Sequence, residues 1–149
     1  MPMEEIRIVP MAESHLDALA QIEKLCFSQP WSRAGLRDEL TNPAACFLAA
    51  ECGGAAVGYA GMFCAADECY VANVAVHPDF RGRGVGDRLL RALEESAKER
   101  GGAFLSLEVR ESNLPALALY RGHGFVRAGL RKNFYRKPVE NALILTKYF

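Results

Sequence analysis

The sequence predicts a mixed α/β fold, with a single mixed sheet of about seven strands flanked by helices. Three observations predict it. Apolar residues recur at helical spacing in several segments, short apolar or alternating runs are bounded by turn residues, and one segment follows the order strand, helix, strand. The predicted element order is β-α-α-β-β-β-α-β-α-β-β. At 149 residues, the chain is expected to form one domain over residues 1–149.

The first half of the chain begins with an alternating run at residues 6–9, which predicts a strand. Apolar residues at helical spacing across residues 13–26 then predict an amphipathic helix. Ser32 follows a proline and a tryptophan that break this helix, and its hydroxyl can cap a second, short one. Apolar runs at residues 46–51 and 56–64, on either side of two glycines, predict a hairpin.

The second half is expected to add a parallel strand pair. Residues 70–76 predict a strand, an apolar stripe over 89–97 predicts a helix, and residues 104–109 predict the next strand. A strand–helix–strand unit of this kind should form a right-handed, parallel crossover. The remaining predicted elements are a short helix capped by Asn113 and two strands at residues 125–129 and 142–149.

Charge and composition exclude several function classes. The 18 basic and 18 acidic side chains cancel, whereas a dedicated nucleic-acid binder usually has a basic excess, so no nucleic-acid partner is expected. Residues 1–7 do not resemble a signal peptide, and no uncharged apolar run is long enough to cross a bilayer, so no membrane partner is expected. Five cysteines without a C-x-x-C pair and three scattered histidines predict free thiols, no metal and a cytoplasmic location.

A glycine-rich segment, RGRGVG at residues 81–86, joins the predicted strand at 70–76 to the helix that follows. A helix start exposes unpaired N–H groups and a partial positive charge, so a glycine-rich loop there can hold a phosphate. The spacing matches neither the dinucleotide-binding G-x-G-x-x-G motif nor the P-loop. From the residues alone, a tight turn and a phosphate cradle both stay open.

Two side chains further along could move protons. Glu108 lies in an otherwise apolar predicted strand, and Tyr120 lies on the short helix after it. A carboxylate and a phenol that reach one cleft can act as general base and general acid. The polar neighbours Ser106 and Arg110 leave a solvated strand face as the alternative for Glu108. In the same way, Tyr120 could be a tyrosine at the core edge, and Asn113 a simple helix cap.

Residues 81–86 match at every fixed position the [Arg/Gln]-x-x-Gly-x-[Gly/Ala] motif of the GCN5-related N-acetyltransferases (GNAT), and the preceding strand resembles the central strand of that family. The resemblance implies the GNAT fold and acetyl-coenzyme A as co-substrate, with its pyrophosphate on the loop amides and its pantetheine arm along the strand. Gly84 and Gly86 should then be the positions least able to accept a side chain. Asp87 would repel a phosphate, so we expect its side chain to point away. The implied cofactor-binding residues are Val74, Ala75, Val76, Arg81, Gly82, Arg83, Gly84, Val85, Gly86, Asp87, Asn113 and Tyr120.

Residues 107–125 resemble the signature of protein N-terminal acetyltransferases, most closely the bacterial RimI type, which acetylates the N-terminal alanine of a small-subunit ribosomal protein. This resemblance implies that Glu108 is the general base, that Tyr120 is the general acid, and that Asn113 contacts coenzyme A. The sequence departs from the subfamily at two places. Residues 134–135 are Phe-Tyr where two tyrosines are usual, and residues 140–142 are Glu-Asn-Ala where Glu-Asp-Ala is usual. The implied peptide-binding residues are Phe27, Pro30, Trp31, Arg131, Phe134 and Tyr135, the last three in a turn at residues 131–135.

The sequence therefore predicts direct acetyl transfer to a protein N-terminus, without an acetyl-enzyme intermediate, by a monomer or a weak dimer. Two other functions stay open: the same fold acting on a small amine or a lysine side chain, and a non-catalytic acyl-coenzyme A sensor or partner-binding module. A narrow groove between the loop at residues 30–31 and the loop at 131–139 would favour the N-terminal acceptor. An open basin there would favour the small amine or the lysine.

Overall fold

The computed structural model describes residues 5–149 and contains one seven-stranded sheet packed against four helices. The prediction about a signal peptide falls partly on residues 1–4, which lie outside the described residues. The strands are β1 (Ile6–Pro10), β2 (Ala45–Cys52), β3 (Ala55–Ala65), β4 (Glu68–Val76), β5 (Phe104–Arg110), β6 (Val126–Arg136) and β7 (Val139–Tyr148). The helices are α1 (Leu16–Cys26), α2 (Arg33–Asp38), α3 (Val85–Glu99) and α4 (Leu114–Gly122).

The sheet is mixed, in the order β1-β2-β3-β4-β5-β7-β6. Strands β4 and β5 run parallel, and every other neighbouring pair is antiparallel. The predicted fold class, element order and parallel crossover are confirmed. Since β4 and β5 sit at the centre of the sheet, the loop that follows β4 and the side chains of β5 lie side by side.

Two apolar cores hold the helices against the sheet. Helices α1 and α2 bury Leu19 and Leu36 in the core that contains Phe47. Helix α3 buries its apolar stripe, including Leu90, in the core that α4 shares through Leu117. The helix caps form as predicted: the Ser32 hydroxyl accepts the N–H of Gly35 at 3.0 Å, and the Asn113 side chain accepts the N–H of Ala116 at 3.2 Å. None of the helices in residues 5–149 is long and apolar enough to cross a bilayer.

The predicted turn at residues 131–135 is wrong. These residues belong to β6, which runs on to Arg136, and β7 already begins at Val139. The strand pairing is irregular between Arg131 and Tyr135, and Asn133 has a φ of 51°. Strand β6 is at the edge of the sheet and largely exposed, so it tolerates a bulge and a run of polar residues that resembles a turn in sequence.

None of the five cysteines, which all lie within residues 5–149, forms a disulfide, and only Cys69 is buried. The other four, Cys26 among them, are partly exposed. Among residues 5–149, no group of three or more His, Cys, Asp or Glu side chains is arranged to hold a metal ion.

Candidate active site

A cleft opens at the centre of the sheet, where β4 and β5 separate. Their pairing covers only Glu68–Tyr70 against 104–106. On the other side of β4, the register with β3 shifts next to Gly61, which leaves an extra residue in β4. Such a bulge bends a strand and increases its local twist. The space between the two strands forms a cleft of about 720 Å³.

Glu108 lines this cleft from β5 and is paired with an arginine. Its side chain is 30% exposed, and Oε1 lies 3.5 Å from Nε of Arg131, which comes from β6. Arg131 also lies over the ring of Phe134, 5.5 Å from its centroid. The sequence suggested a solvated strand face as the alternative for Glu108. The structure instead directs this carboxylate into the cleft and gives it a positive partner.

Tyr120 lines the cleft from α4, with only 7% of the residue exposed. Its ring packs on Phe125, with 5.7 Å between the ring centroids. Within residues 5–149, its hydroxyl has no hydrogen-bond partner and is free to meet a ligand. Burial raises the pKa of Tyr120 above its usual value, and the neighbouring Tyr135 adds to this effect. The phenol therefore keeps its proton at neutral and moderately alkaline pH, as a general acid must.

Arg110 fixes the β6–β7 hairpin, which forms one wall of the cleft. Its guanidinium donates to the carbonyl oxygens of Lys137 and Pro138, at 3.1 and 2.9 Å, and contacts Glu140 Oε1 at 3.2 Å. It also lies over the ring of Tyr135, 4.3 Å from the centroid. Burial, followed by the negative charge of Glu108, raises the pKa of Tyr135 to about 12, so this second cleft tyrosine also stays protonated.

The opposite wall is the loop after α1. Phe27 and Trp31 line the cleft, whereas Pro30 is exposed and lies outside the lining. The Ser28 hydroxyl donates to the carbonyl oxygen of Lys137 at 2.6 Å, so this loop and the β6–β7 hairpin touch across the cleft.

A buried carboxylate that the sequence did not predict as part of the site supports the loop after α1. Glu23 is fully buried on α1. It accepts the backbone N–H of Trp31 at 2.8 Å and the side-chain amide of Asn73, on β4, at 2.8 Å. Burial raises the pKa of Glu23, although these hydrogen bonds and one with Tyr59 oppose the rise. Glu23 therefore connects the Trp31 loop to the bulged strand. The only feature of the sequence that indicates this role is an acidic residue beside the apolar stripe of α1.

We expect Glu23→Gln to lower the free energy of unfolding by about 1–3 kcal/mol, because one side-chain oxygen becomes an amide that faces a buried donor. Urea unfolding measures the change. Glu13→Gln, at an exposed position before the same helix, is the matched control and should stay within about 0.5 kcal/mol of the wild type. Equal stability of the two variants would contradict a bridging role for Glu23.

The glycine-rich loop lies between β4 and α3 and has room for an anion. Gly84 is the N-cap of α3, with a φ of 79°, and no side chain of residues 5–149 caps this helix start. Gly82 also has a positive φ, 76°, and a Cβ at either glycine would point into open space. Gly86 has no such φ, and a Cβ there would only touch Leu119 at 3.4 Å. Backbone conformation therefore restricts Gly84, as expected, and also Gly82, whereas it does not restrict Gly86.

The first turn of α3 can supply the amides that such a loop needs. The N–H groups at the start of an α-helix have no acceptor within the helix, and the helix dipole adds positive potential there. The guanidinium of Arg81 lies 3.3 Å from Cys26 Sγ, and that of Arg83 lies over the ring of Phe80 at 4.9 Å. Both arginines are exposed near the loop. An open backbone cradle with two cations nearby fits a diphosphate.

The other predicted cofactor residues differ in their access to the cleft. Val74 lines it, and its N–H already donates to Asn73 Oδ1 at 3.0 Å. Ala75 is buried and Val76 partly buried, and neither belongs to the lining. Asn113 both caps α4 and lines the cleft. Asp87 turns its carboxylate to His123, with 2.7 Å between Oδ1 and Nε2, which agrees with the expectation that it would not point into the loop.

The sequence profile of the Acetyltransferase (GNAT) family matches residues 16–125, well over half of the chain. The chain belongs to the GNAT family. This GNAT is 38% identical over 139 residues to the N-alpha-acetyltransferase RimI of Mycobacterium tuberculosis, covering 89% of this chain and 86% of that protein. It is 35% identical over 146 residues to the ribosomal protein bS18-alanine N-acetyltransferase of Haemophilus ducreyi, covering 95% and 99%.

Solved structures agree with the sequence relatives. The ribosomal-protein-S18-alanine N-acetyltransferase from Escherichia coli matches this GNAT with a TM-score of 0.88 and 31% identity, covering 97% of this chain and 94% of that one. The predicted family resemblance is confirmed. The protein is an acetyl-coenzyme A-dependent N-acetyltransferase, and the non-catalytic sensor is not favoured.

Proposed function

We propose that this GNAT, acting as one domain over residues 1–149, transfers the acetyl group of acetyl-coenzyme A to the N-terminal α-amine of a protein. The first acceptor to consider is a ribosomal protein that begins with alanine, because relatives that align over most of the chain carry names describing that acceptor. The acceptor would enter between the Trp31 loop and the β6–β7 hairpin. Phe27, Pro30, Trp31, Arg131, Phe134 and Tyr135 remain the proposed peptide-binding residues.

The contact between Ser28 and Lys137 is the observation that carries the choice of an N-terminal acceptor. A hydrogen bond of 2.6 Å joins the two walls at this point, so the cleft is bridged here and is not an open basin. The free end of an extended chain can enter beside such a bridge. A lysine in the middle of a chain has to bring backbone on both sides of it, which favours an open basin. The geometry therefore supports the N-terminal acceptor over a lysine side chain.

The donor, acetyl-coenzyme A, would bind on the side of the cleft where the glycine-rich loop lies. We propose that its pyrophosphate is held by the amides of residues 81–86 and the first turn of α3, with Asn113 and Tyr120 contacting the thiol end. Its pantetheine amides would lie along residues 74–76, where β4 has no β5 partner. The structural support is the open cradle at Gly82 and Gly84 and the early divergence of the two strands.

The proposed chemistry needs one base and one acid. An α-ammonium group must lose a proton before its nitrogen can attack the thioester carbonyl, and we assign that proton to the carboxylate of Glu108. As the carbon–sulfur bond breaks, the departing thiolate takes the proton of the Tyr120 hydroxyl. The nitrogen then gives up its second proton to become the amide, and this proton restores the Tyr120 phenol. Because the nitrogen attacks the acetyl carbon directly, no enzyme cysteine carries the acetyl group.

Acetyl transfer to a panel of short peptides tests this function. The peptides differ in their first residue (alanine, serine, glycine or methionine), and each is also made with an acetylated N-terminus and an internal lysine. Mass spectrometry locates the new acetyl group. We expect modification of free α-amines, fastest on alanine, and none of the blocked peptides. Acetylation of the internal lysine in blocked peptides alone would overturn the N-terminal assignment and favour the lysine alternative.

We expect Gly84→Ala to raise the KM for acetyl-coenzyme A several-fold, because its Cβ would enter the space proposed for the pyrophosphate. The left-handed backbone at this position should also cost roughly 1–2 kcal/mol of stability. Steady-state kinetics at saturating peptide measure the first effect, and urea unfolding measures the second.

Gly54→Ala is the matched control. Gly54 has a φ of +83° and open space around its Cβ, but it lies in the β2–β3 turn, away from the loop. Both variants should lose similar stability, and only Gly84→Ala should change the KM. A KM that rises equally in both would mean that backbone strain, not the loss of a phosphate cradle, explains the defect.

A further inference from the structure

His123 connects the end of α4 to two carboxylates of α3. Its Nε2 lies 2.7 Å from Asp87 Oδ1, and its Nδ1 lies 3.1 Å from Glu94 Oε2. The histidine side chain is 9% exposed and that of Glu94 is 6% exposed, so solvent screens the Glu94 contact weakly. None of these three residues is required by the acid–base chemistry proposed above.

The geometry indicates a charged histidine. A neutral imidazole has one N–H, so it can donate to only one of the two carboxylates. With both carboxyl groups ionised, both contacts are hydrogen bonds at once only when both ring nitrogens carry protons. Glu94 has a second cation beside it, since Lys147 Nζ lies 2.6 Å from Oε1. Within the described part of the chain, the other cation of Asp87 is Arg91, at 3.2 Å, whose side chain is 69% exposed. His123 is therefore the better-shielded positive partner of Asp87.

The position of Asp87 gives this pairing its importance. Asp87 lies in the first turn of α3, directly after residues 81–86, the proposed seat of the pyrophosphate. An unpaired carboxylate there would repel a diphosphate and cancel part of the positive potential of the helix start. His123 follows Tyr120 by three residues and is the C-cap of α4, so this helix and its cap would hold both the proposed acid and the countercharge.

We infer that His123 is a positioning residue for the donor substrate: its positive charge turns the Asp87 carboxylate away from the glycine-rich loop, neutralises it, and so permits coenzyme A to bind. The inference rests on the donor site proposed above. It predicts that the effect of losing His123 depends on the presence of Asp87. A purely structural role would not have that dependence.

Titration calorimetry with coenzyme A on four proteins tests this dependence. They are the wild type, His123→Gln, Asp87→Asn and the double variant. We expect His123→Gln to weaken binding about three- to tenfold, the effect of one uncompensated charge near a phosphate at a half-exposed site. Asp87→Asn should bind at least as tightly as the wild type, and the double variant should stay within about twofold of Asp87→Asn. In kinetics, His123→Gln should raise the KM for acetyl-coenzyme A and leave kcat unchanged.

Each contrary outcome is distinguishable. If His123→Gln weakens binding equally with and without Asp87, or does not weaken it at all, the inference is overturned. Weaker binding by Asp87→Asn would overturn it as well. His15→Gln is the control for loss of a buried histidine, because His15 contacts Glu51 at 2.6 Å far along the chain from the loop, and it should keep the wild-type affinity. A wild-type protein that does not bind coenzyme A would refute the donor site itself, and the inference with it.

Discussion

Glu108→Gln should lower kcat by about a hundred- to a thousandfold, the usual contribution of a positioned general base. The amide is close in size to the carboxylate but does not accept the proton of the acceptor ammonium. The dissociation constant for acetyl-coenzyme A should change little, because Glu108 lies on the acceptor side beside Arg131. Single-turnover kinetics with a peptide that has a free N-terminus measure the loss, and calorimetry measures the binding.

The matched control is Glu95→Gln, which removes an exposed carboxylate of α3 that pairs, among residues 5–149, only with Lys98 at 3.8 Å. It should keep wild-type turnover. Raising the pH should partly rescue Glu108→Gln, because more of the acceptor amine is then already deprotonated. Unchanged turnover in Glu108→Gln, or a loss without rescue, would remove Glu108 from the role of base.

Tyr120→Phe should lower kcat by about a hundredfold, because the departing thiolate then lacks its proton donor. The ring and its packing on Phe125 remain, so the fold should be preserved. Tyr148→Phe, which removes a hydroxyl from a 70% exposed residue, is the matched control and should be neutral.

The pH profile separates an acid from a merely structural tyrosine. Burial raises the pKa of Tyr120 above the usual value of about 10, so its protonated form persists to higher pH than that of a free phenol. The wild-type kcat should therefore not decline between neutral pH and about pH 10 through loss of this proton. The kcat of Tyr120→Phe should be low across this whole pH range. A kcat of Tyr120→Phe that equals the wild-type kcat at any pH in this range would contradict the assignment.

Local rules made much of the fold predictable. The caps at Ser32 and Asn113, the hairpin glycines and the apolar stripe of α3 all depend on residues a few positions apart, and the structure contains each of them. The bulged edge strand β6 is harder to predict, because its polar residues face solvent and show no periodic pattern. The GNAT resemblance was carried by one short loop and the segment from 107 to 125.

The contacts that join the walls of the cleft could not be predicted, because they link distant positions. Ser28 and Lys137 are 109 residues apart in sequence, and Glu23 and Asn73 are 50 apart. No periodicity or motif relates such pairs; only the assembled sheet brings them together. The catalytic and binding roles of the site residues stay predictions, as do the cytoplasmic location, the lack of a metal and of a nucleic-acid partner, and the oligomeric state.

The short pairing between β4 and β5 links ligand binding to folding. Only three residue pairs connect these strands, so the sheet consists of two blocks, β1–β4 and β5–β7, with few shared backbone bonds. A ligand that fills the gap adds contacts to both blocks at once. The free energy of unfolding then grows with ligand concentration, by about 2.7 kcal/mol at a hundred times the dissociation constant. In a cell, the stability of this enzyme would therefore increase with the concentration of acetyl-coenzyme A.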